Sequence, residues 1–383
     1  MKDCYRIEDA ASLLSPSLVF YKELIARNIA RAVEIAGHPN RLRPHVKTHK
    51  TREIVQMERA SGIGKHKCAT IAEAEMLASC GTNDVLLAYP LVGPNCVRMA
   101  RLVRAFPACR FSTVADDADA ARRLSEAMVA ERAEIDVLLD VDAGQHRTGI
   151  ACIPNPTLPP KGGGGAIELY ELFSRLPGLR PGGLHIYDGH LHQTEVAQRD
   201  ASVRQFLGPL LSFRDDLRDK RRLPVPRLVF GGTPTFAVYA RLDLPDAEFS
   251  PGTCVLHDHS YATSFPDMTG FTPAALLLTR VVSRPTATRV TLDLGYKAVA
   301  SDPPAHDRCA LLDVPDCRPV LQNEEHLVIE TPSAGQFRPG DLIYAIPTHV
   351  CPTCALHKHA YVVESGRVTG RWEIAARDRS LTI

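Results

Sequence analysis

The chain has 383 residues, a formal net charge of +1, and 45% hydrophobic against 23% charged residues. That balance belongs to a soluble globular protein, and the length exceeds what one hydrophobic core usually organises, so two domains are expected. A charge so near zero argues against nucleic acid or an acidic membrane surface as partner.

The N-terminal residues Met1 to Arg6 are charged and lack the apolar core of a signal peptide. No apolar run approaches the roughly 18 residues of a membrane span. Eleven cysteines, an odd number scattered along the chain, fit a reducing compartment better than a disulfide framework, so a cytoplasmic location is expected.

From about residue 17 to 250, short apolar runs alternate with amphipathic stretches. Leu18 to Phe20 precedes a helix near 22–36, Leu42 to Val46 one near 52–60, and His66 to Ala69 one near 71–79. Val85 to Ala88, Arg110 to Thr113, Ile135 to Leu139, Gly183 to Tyr187 and Arg227 to Phe230 continue the series to eight. Strands alternating with helices imply parallel βα units, and eight of them in about 230 residues match a closed barrel. An open doubly wound sheet is the competing architecture. The stretch Pro154 to Gly165, rich in proline and glycine, reads as a flexible loop.

After residue 255 helical periodicity disappears. Ala275 to Val282, Arg289 to Asp293, His326 to Glu330, Asp341 to Ile346 and Ala360 to Val363 read as strands between Pro/Gly turns. The expected fold is α/β, a (β/α)8 TIM-type barrel over residues 1–255 with a C-terminal β domain over 256–383. Residues 1–14 have pairing with the β domain as an alternative place.

Four segments follow predicted barrel strands, where barrel enzymes carry their chemistry. The first is Arg43-Pro44-His45-Val46-Lys47-Thr48-His49-Lys50. Alternation puts His45, Lys47 and His49 on one face and Val46 on the other. A lysine in a barrel mouth is costly unless neutralised, paired or covalently engaged, and bound to an aldehyde cofactor it becomes a nucleophile. A basic surface loop is the competing reading. The second, Asp140 to Gly149, offers Arg147 as a donor to an anionic oxygen and glycines for close backbone approach. The third, Tyr187 to Gln193, offers an aromatic face and two imidazoles, His190 and His192. The fourth, Gly231-Gly232-Thr233-Pro234-Thr235, is a Gly/Thr turn opening a helix, which suits a phosphate.

Together these segments resemble the D-threonine aldolase and D-serine dehydratase group of alanine-racemase-type pyridoxal-phosphate (PLP) enzymes, over nearly the whole chain. The resemblance implies Lys47 as Schiff-base lysine, Arg147 beside the cofactor's phenolic oxygen and Tyr187 near its ring. It also implies Gly231, Gly232 and Thr233 at the phosphate, with Gly252 and Thr253 lending backbone amides. Alanine racemases carry an arginine against the pyridine nitrogen, where this chain reads Ser250-Pro251-Gly252. A serine is no fixed positive charge, which weakens a racemase reading.

Residues 349 to 359 read His-Val-Cys-Pro-Thr-Cys-Ala-Leu-His-Lys-His. Three readings compete: a structural zinc cluster, though spacing this tight usually draws two ligands from elsewhere, a Cys-Pro-Thr-Cys redox pair, whose thioredoxin-like context a β domain does not provide, and a catalytic metal held by His349 and Cys351. The resemblance favours the catalytic metal beside PLP. A thiolate ligand suits zinc, while aldolases of the family are associated with manganese or another divalent ion.

PLP with a divalent ion serves retro-aldol cleavage of a β-hydroxyamino acid to glycine and an aldehyde. It serves equally β-elimination to a keto acid and ammonia. The resemblance implies a D-3-hydroxyamino-acid aldolase acting as a homodimer on a small D-hydroxyamino acid. The alternatives are a D-serine or D-3-hydroxyaspartate dehydratase, then a racemase. His192 or His190 would move the β-hydroxyl proton, with His192 favoured. Non-catalytic readings are a PLP carrier, which lacks a β domain, and a cofactor-free zinc or interaction protein, which leaves the Lys47 segment without a role.

Overall fold

The computed structural model describes residues 3–152, 165–314 and 316–383, so residues 154–164 of the proline/glycine loop lie outside the described residues. In chain order, β1 (Ser17–Tyr21) leads into α1 (Lys22–Ala36). Then come α2 (Arg52–Ala60), β2 (Lys65–Cys68), α3 (Ile71–Ser79), β3 (Asp84–Leu87) and α4 (Pro94–Ala105). They are followed by β4 (Arg110–Ala115), α5 (Ala118–Ala130), β5 (Ile135–Asp142), α6 (Ala166–Arg175) and β6 (Leu179–Tyr187). Next are α7 (Val196–Asp215), β7 (Leu228–Gly231), α8 (Thr233–Ala240), β8 (Ala247–Ser250) and α9 (His259–Ser264). The remaining strands are β9 (Ala275–Ser283), β10 (Arg289–Leu292), β11 (Cys309–Leu311), β12 (Arg318–Gln322), β13 (Leu327–Glu330) and β14 (Leu342–Pro347). The helix α10 (Val350–Leu356) and strands β15 (His359–Glu364) and β16 (Arg367–Glu373) close the series. None of the described helices is long and apolar enough to cross a membrane.

Local signals set several boundaries. Thr70 caps α3 by accepting from Glu73 N at 3.1 Å, and the Glu73 carboxylate accepts from Ala69 N at 2.7 Å, so two otherwise unpaired amides are satisfied. Asp117 caps α5 in the same way through Ala120 N. Strand β5 is buried from Ile135 to Val141, the continuous pattern of a parallel strand covered on both faces.

The chain divides into two units. One comprises residues 33–47, 58–252 and 378–383. Here β2 to β8 form a seven-stranded parallel sheet in sequential order. Leu42 bridges Phe249 of β8 and His45 bridges Lys67 of β2, so the segment 42–45 joins the two edges of the sheet and closes the ring. The sequence expectation of a TIM-type barrel therefore stands, with seven regular strands and one short bridging segment.

The barrel's strand N-termini are closed by an ion network. The fully buried Arg43 guanidinium contacts Glu248 at 2.5 Å and Asp84 at 2.7 Å. Arg227 joins Asp84 at 3.2 Å and Asp136 at 2.7 Å. Buried charges persist only when paired this fully. Leu86, Val114, Leu138 and Val229 form the apolar layer of the interior.

The other unit comprises residues 1–32, 48–57 and 253–377. Its nine-stranded sheet runs β12-β13-β10-β9-β1-β15-β16, with β14 pairing β9 and β11. The segment Leu18 to Phe20, read above as the first barrel strand, is thus a strand of this sheet. It lies antiparallel to β9 and parallel to β15. Its place in the barrel count is taken by β8, which the sequence reading left out.

Candidate functional site

The barrel site starts from the segment that closes the ring. Arg43 N donates to Phe249 O at 2.7 Å and His45 N to Pro251 O at 3.0 Å. A 3-10 turn over Val46–Thr48 then takes the chain out of extended geometry. The alternation expected for this segment ends with that turn, and His49 departs from it. That residue is buried, and its Nδ1 accepts from Thr51 N at 3.1 Å, because the turn rotates everything beyond Lys47.

Lys47 Nζ lies 5.9 Å from the centroid of the Tyr187 ring, and the Arg147 guanidinium carbon lies 4.7 Å from the same centroid. The arginine is carried by a loop that Asp142 organises. Its carboxylate accepts from Gly144 N at 2.9 Å and His146 N at 3.0 Å, and contacts His146 Nδ1 at 2.8 Å. Gly149 ends the loop at φ +97°, where a Cβ would lie 2.6 Å from Asp142 N, so only glycine fits.

The phosphate-type turn follows β7. Gly232 precedes α8 with φ +120°, and a Cβ there would meet Asp188 Oδ1 at 2.7 Å. Asp188 is buried and receives hydrogen bonds from Thr235 Oγ1 at 3.1 Å and Tyr239 Oη at 2.7 Å. Burial pushes its pKa up to about 6 against those bonds. The contacts lock the start of α8 to the end of β6, next to Tyr187. Gly252 N donates to Thr233 Oγ1 at 3.1 Å, which ties the Gly252 amide to this turn. Thr253, the next residue, has its hydroxyl 3.7 Å from Cys351 Sγ.

Beneath these groups, Asp140 Oδ1 contacts His185 Nδ1 at 2.7 Å, and Thr148 Oγ1 donates to the other oxygen at 2.8 Å. Burial opposes the Asp140 charge, but His185, Thr148 and Lys67 hold its pKa below the usual carboxylate value. Burial and the Lys67 charge lower the His185 pKa, so the ring is neutral. With the carboxylate on Nδ1, His185 Nε2 is left as an acceptor, buried and without a hydrogen-bond partner, as is Ser250 Oγ. Such orphaned polar atoms, together with the glycine cradle at α8, fit an anionic, ring-bearing ligand that supplies the missing contacts. His190 is partly buried and its Nδ1 also lacks a partner, whereas His192 is exposed.

In the other unit, His349 is the N-cap residue of α10 and Cys351 lies in its first turn. His349 Nδ1 contacts Asp302 Oδ2 at 2.5 Å, leaving Nε2 as the nitrogen able to serve a metal. Burial lowers the His349 pKa, but hydrogen bonds with Cys351 and Asp302 raise it to about 9. Cys351 Sγ donates to Thr48 Oγ1 at 3.2 Å, and Thr48 is the residue that follows Lys47 in the chain. The neighbouring donors point elsewhere. Cys354 is fully buried, His357 Nε2 is 2.8 Å from Ala298 O, and His359 is exposed. Among the described residues no three His, Cys, Asp or Glu side chains converge as a metal-binding group, so the four-ligand zinc cluster is not formed. An imidazole and a thiol in contact remain, a donor pair that fits a borderline divalent ion with open positions.

The family described as "Alanine racemase, N-terminal domain" matches residues 22–256, and "Putative serine dehydratase domain" matches 274–363. A D-threonine aldolase of Arthrobacter sp is 30% identical over 370 residues, covering 95% of this chain and 92% of that protein. The chain belongs to the alanine-racemase-type D-threonine aldolase and D-serine dehydratase family. Within that family, a 3-hydroxy-D-aspartate aldolase of Paracoccus denitrificans is 23% identical, covering 97% of this chain and 94% of its own. The crystal structure of D-threonine aldolase from Filomicrobium marinum superposes with a TM-score of 0.84 at 28% identity, covering 96% of each chain.

For a member of this family, sequence reasoning passed over three groups: Lys67, the Asp140–His185 pair as a pair, and Asp302. Asp140 and Asp302 meet imidazoles 45 and 47 residues away in the chain, and Lys67 is brought towards the Tyr187 ring from a different strand. Only Lys67 and His185 left a signal, a basic residue in mid-strand where an apolar one is usual.

Proposed function

We propose that this chain is a PLP- and divalent-metal-dependent D-3-hydroxyamino-acid aldolase of the D-threonine aldolase type, a carbon–carbon lyase. The observation that carries the reading is the convergence of Lys47 and Arg147 on the Tyr187 ring, in a chain 30% identical to a D-threonine aldolase over 95% of its length. When bound, PLP would withdraw electrons from the bonds at Cα while a zinc or manganese ion polarises the β-hydroxyl.

The chain's own residues take these parts. Lys47 supplies the amine that holds the cofactor, and Arg147 donates to an anionic ring oxygen. Tyr187 gives the ring an aromatic neighbour. The Gly232–Thr233 turn, with the amides of Gly252 and Thr253, receives the phosphate. His349 and Cys351 hold the metal, and Asp302 fixes the imidazole's orientation. Removing the proton from a β-oxygen needs a neutral base. His190, partly buried beside the Arg147 loop, is the better supported candidate, and His192 is the second.

In this reading the PLP-binding part is the barrel within residues 1–255, and the metal pair belongs to the β domain of residues 256–383. A cytoplasmic homodimer is part of the same proposal. The odd cysteine count supports the compartment, and sedimentation of the holoprotein as a monomer would remove the dimer.

A dehydratase is the second reading, favoured by 28% identity over 235 residues to a D-threo-3-hydroxyaspartate dehydratase of Delftia sp.. Ser250, buried where a racemase carries arginine, argues against racemisation. Product analysis with D-threonine, D-serine and D-3-hydroxyaspartate in parallel separates the readings. Glycine plus an aldehyde is expected, whereas a keto acid plus ammonia would replace the aldolase by the dehydratase.

A further inference from the structure

Lys67, the third residue of β2, is 2% exposed. Its amide donates to Pro44 O at 2.8 Å and it pairs across from His45, so it stands on the strand beside the segment that ends in Lys47. Its Nζ lies 5.9 Å from the Tyr187 centroid, the same separation as Lys47 Nζ. A Cβ on Gly231, at the phosphate-type turn, would lie 2.9 Å from that nitrogen.

No described carboxylate forms an ion pair with Lys67. Asp140 is engaged by His185 and Thr148, and Asp188 by Thr235 and Tyr239, so both act on it only at longer range. Burial and then the Lys47 charge lower its pKa to about 7, with Arg43 adding to the effect and Asp140 and Asp188 opposing it. An exposed lysine, at about 10.4, is almost wholly protonated at neutral pH, whereas this one is in large part free amine. A desolvated lysine beside a second cation is a recognised form of activated nucleophile.

We propose that Lys67 is a second carbonyl-reactive amine at the Tyr187 ring, able to bond to the aldehyde carbon of PLP whenever Lys47 does not hold it. The inference rests on the PLP reading above. In the step, the Lys67 nitrogen attacks the aldehyde carbon and a C=N bond forms. The carbonyl oxygen leaves as water with the two amine protons, and no other reactant is needed.

The test is borohydride reduction of PLP-loaded protein followed by peptide mapping. Wild type is expected to carry the label on Lys47. Lys47→Ala and Lys47→Arg are expected to carry it on Lys67, and Lys67→Met in either background to remove it. The arginine variant keeps the charge that lowers the Lys67 pKa. The alanine variant loses it, so its labelling should need a higher pH. Circular dichroism of each variant checks that the fold is kept. Label confined to Lys50 or other exposed lysines, or no label, in both Lys47 variants would overturn the proposal. Absence of label on both Lys47 and Lys67 in wild type would instead remove the PLP reading itself.

Discussion

Asp140 Oδ1 and His185 Nδ1 stand 2.7 Å apart inside the barrel, and the opposite nitrogen of that imidazole is buried without a partner. The carboxylate fixes the tautomer, so the orphan is an acceptor held in place before any ligand arrives. A buried unsatisfied group costs about 1–3 kcal/mol, which a ligand supplying a donor would recover. PLP added to cofactor-free protein should therefore raise the Tm. At a hundredfold excess over Kd the stabilisation is about 2.7 kcal/mol. His185→Leu should shrink that increment, and because it strips Asp140 of its imidazole partner it should also lower the Tm of the cofactor-free protein. An unchanged increment in differential scanning fluorimetry would take His185 out of the ligand contacts.

The metal pair gives a second prediction. His349→Ala or Cys351→Ala should abolish metal-dependent turnover while PLP remains bound, because all the proposed cofactor anchors except Thr253 lie in the barrel unit. Asp302 touches only the imidazole, so Asp302→Asn should weaken metal affinity by about 10–100-fold. Metal content by mass spectrometry and the visible absorption of bound PLP read the two effects separately. Full metal loading in both alanine variants would end the assignment.

The ion network at the opposite end of the barrel carries a prediction about stability rather than chemistry. Arg43 begins the same segment that carries Lys47, yet its guanidinium is spent on Glu248 and Asp84. Arg43→Met leaves the buried Glu248 and the half-buried Asp84 short of a partner and should cost about 3–5 kcal/mol. For Glu248, burial raises the pKa, but Arg43 and Lys65 pull it below the usual carboxylate value, and Asp84, also raised by burial, is likewise depressed by Arg43 and Arg227. A depressed folded-state pKa stabilises at neutral pH and loses that contribution as pH falls through it. Urea titrations should show wild-type stability dropping below about pH 4, and a shallower acid loss in Arg43→Met.

Helices near 22–36, 52–60 and 71–79 fall where the sequence put them, the first two with buried and exposed residues alternating along them and the third buried from Ile71 to Ala78. The strand Ser17–Tyr21 was assigned to the barrel because an apolar run before an amphipathic helix looks the same in either sheet. Its partners, Leu277 and Ala360, are hundreds of residues away. Strand β8 was passed over because its Ala-Glu-Phe-Ser sequence looks half polar, and Glu248 is buried where Arg43 and Lys65 meet it. Arg147 and Tyr187 were legible because turns with glycine mark them, and Lys47 because it stands in a run of His and Lys after an apolar segment. Lys67 and the Asp140–His185 pair were not, since their significance lies in which strands stand side by side.

The last prediction concerns the imidazole that moves the β-hydroxyl proton. His190 sits against the loop that carries Arg147, since a Cβ on Gly144 would lie 3.2 Å from its Nε2. Burial lowers its pKa, and His146 and His192 add to the effect against the pull of Asp142, so the ring is an unprotonated base at neutral pH. His192 is exposed, and its backbone amide donates to His190 O at 3.1 Å. His190→Ala should lower kcat by ~10²-fold or more, the usual size of a lost acid–base group, with PLP and metal content unchanged. The sign of the pH effect is fixed by the same geometry. A base with a lowered pKa is lost only as pH falls through that value, so wild-type kcat should decline on the acid side. In His190→Ala that decline should vanish into a flat, low profile. If His192→Ala instead shows the loss and the flattened profile while His190→Ala keeps both rate and acid limb, the base is His192. A wild-type acid limb surviving in both variants would mean that neither imidazole moves the proton and that both serve only to hold the loop.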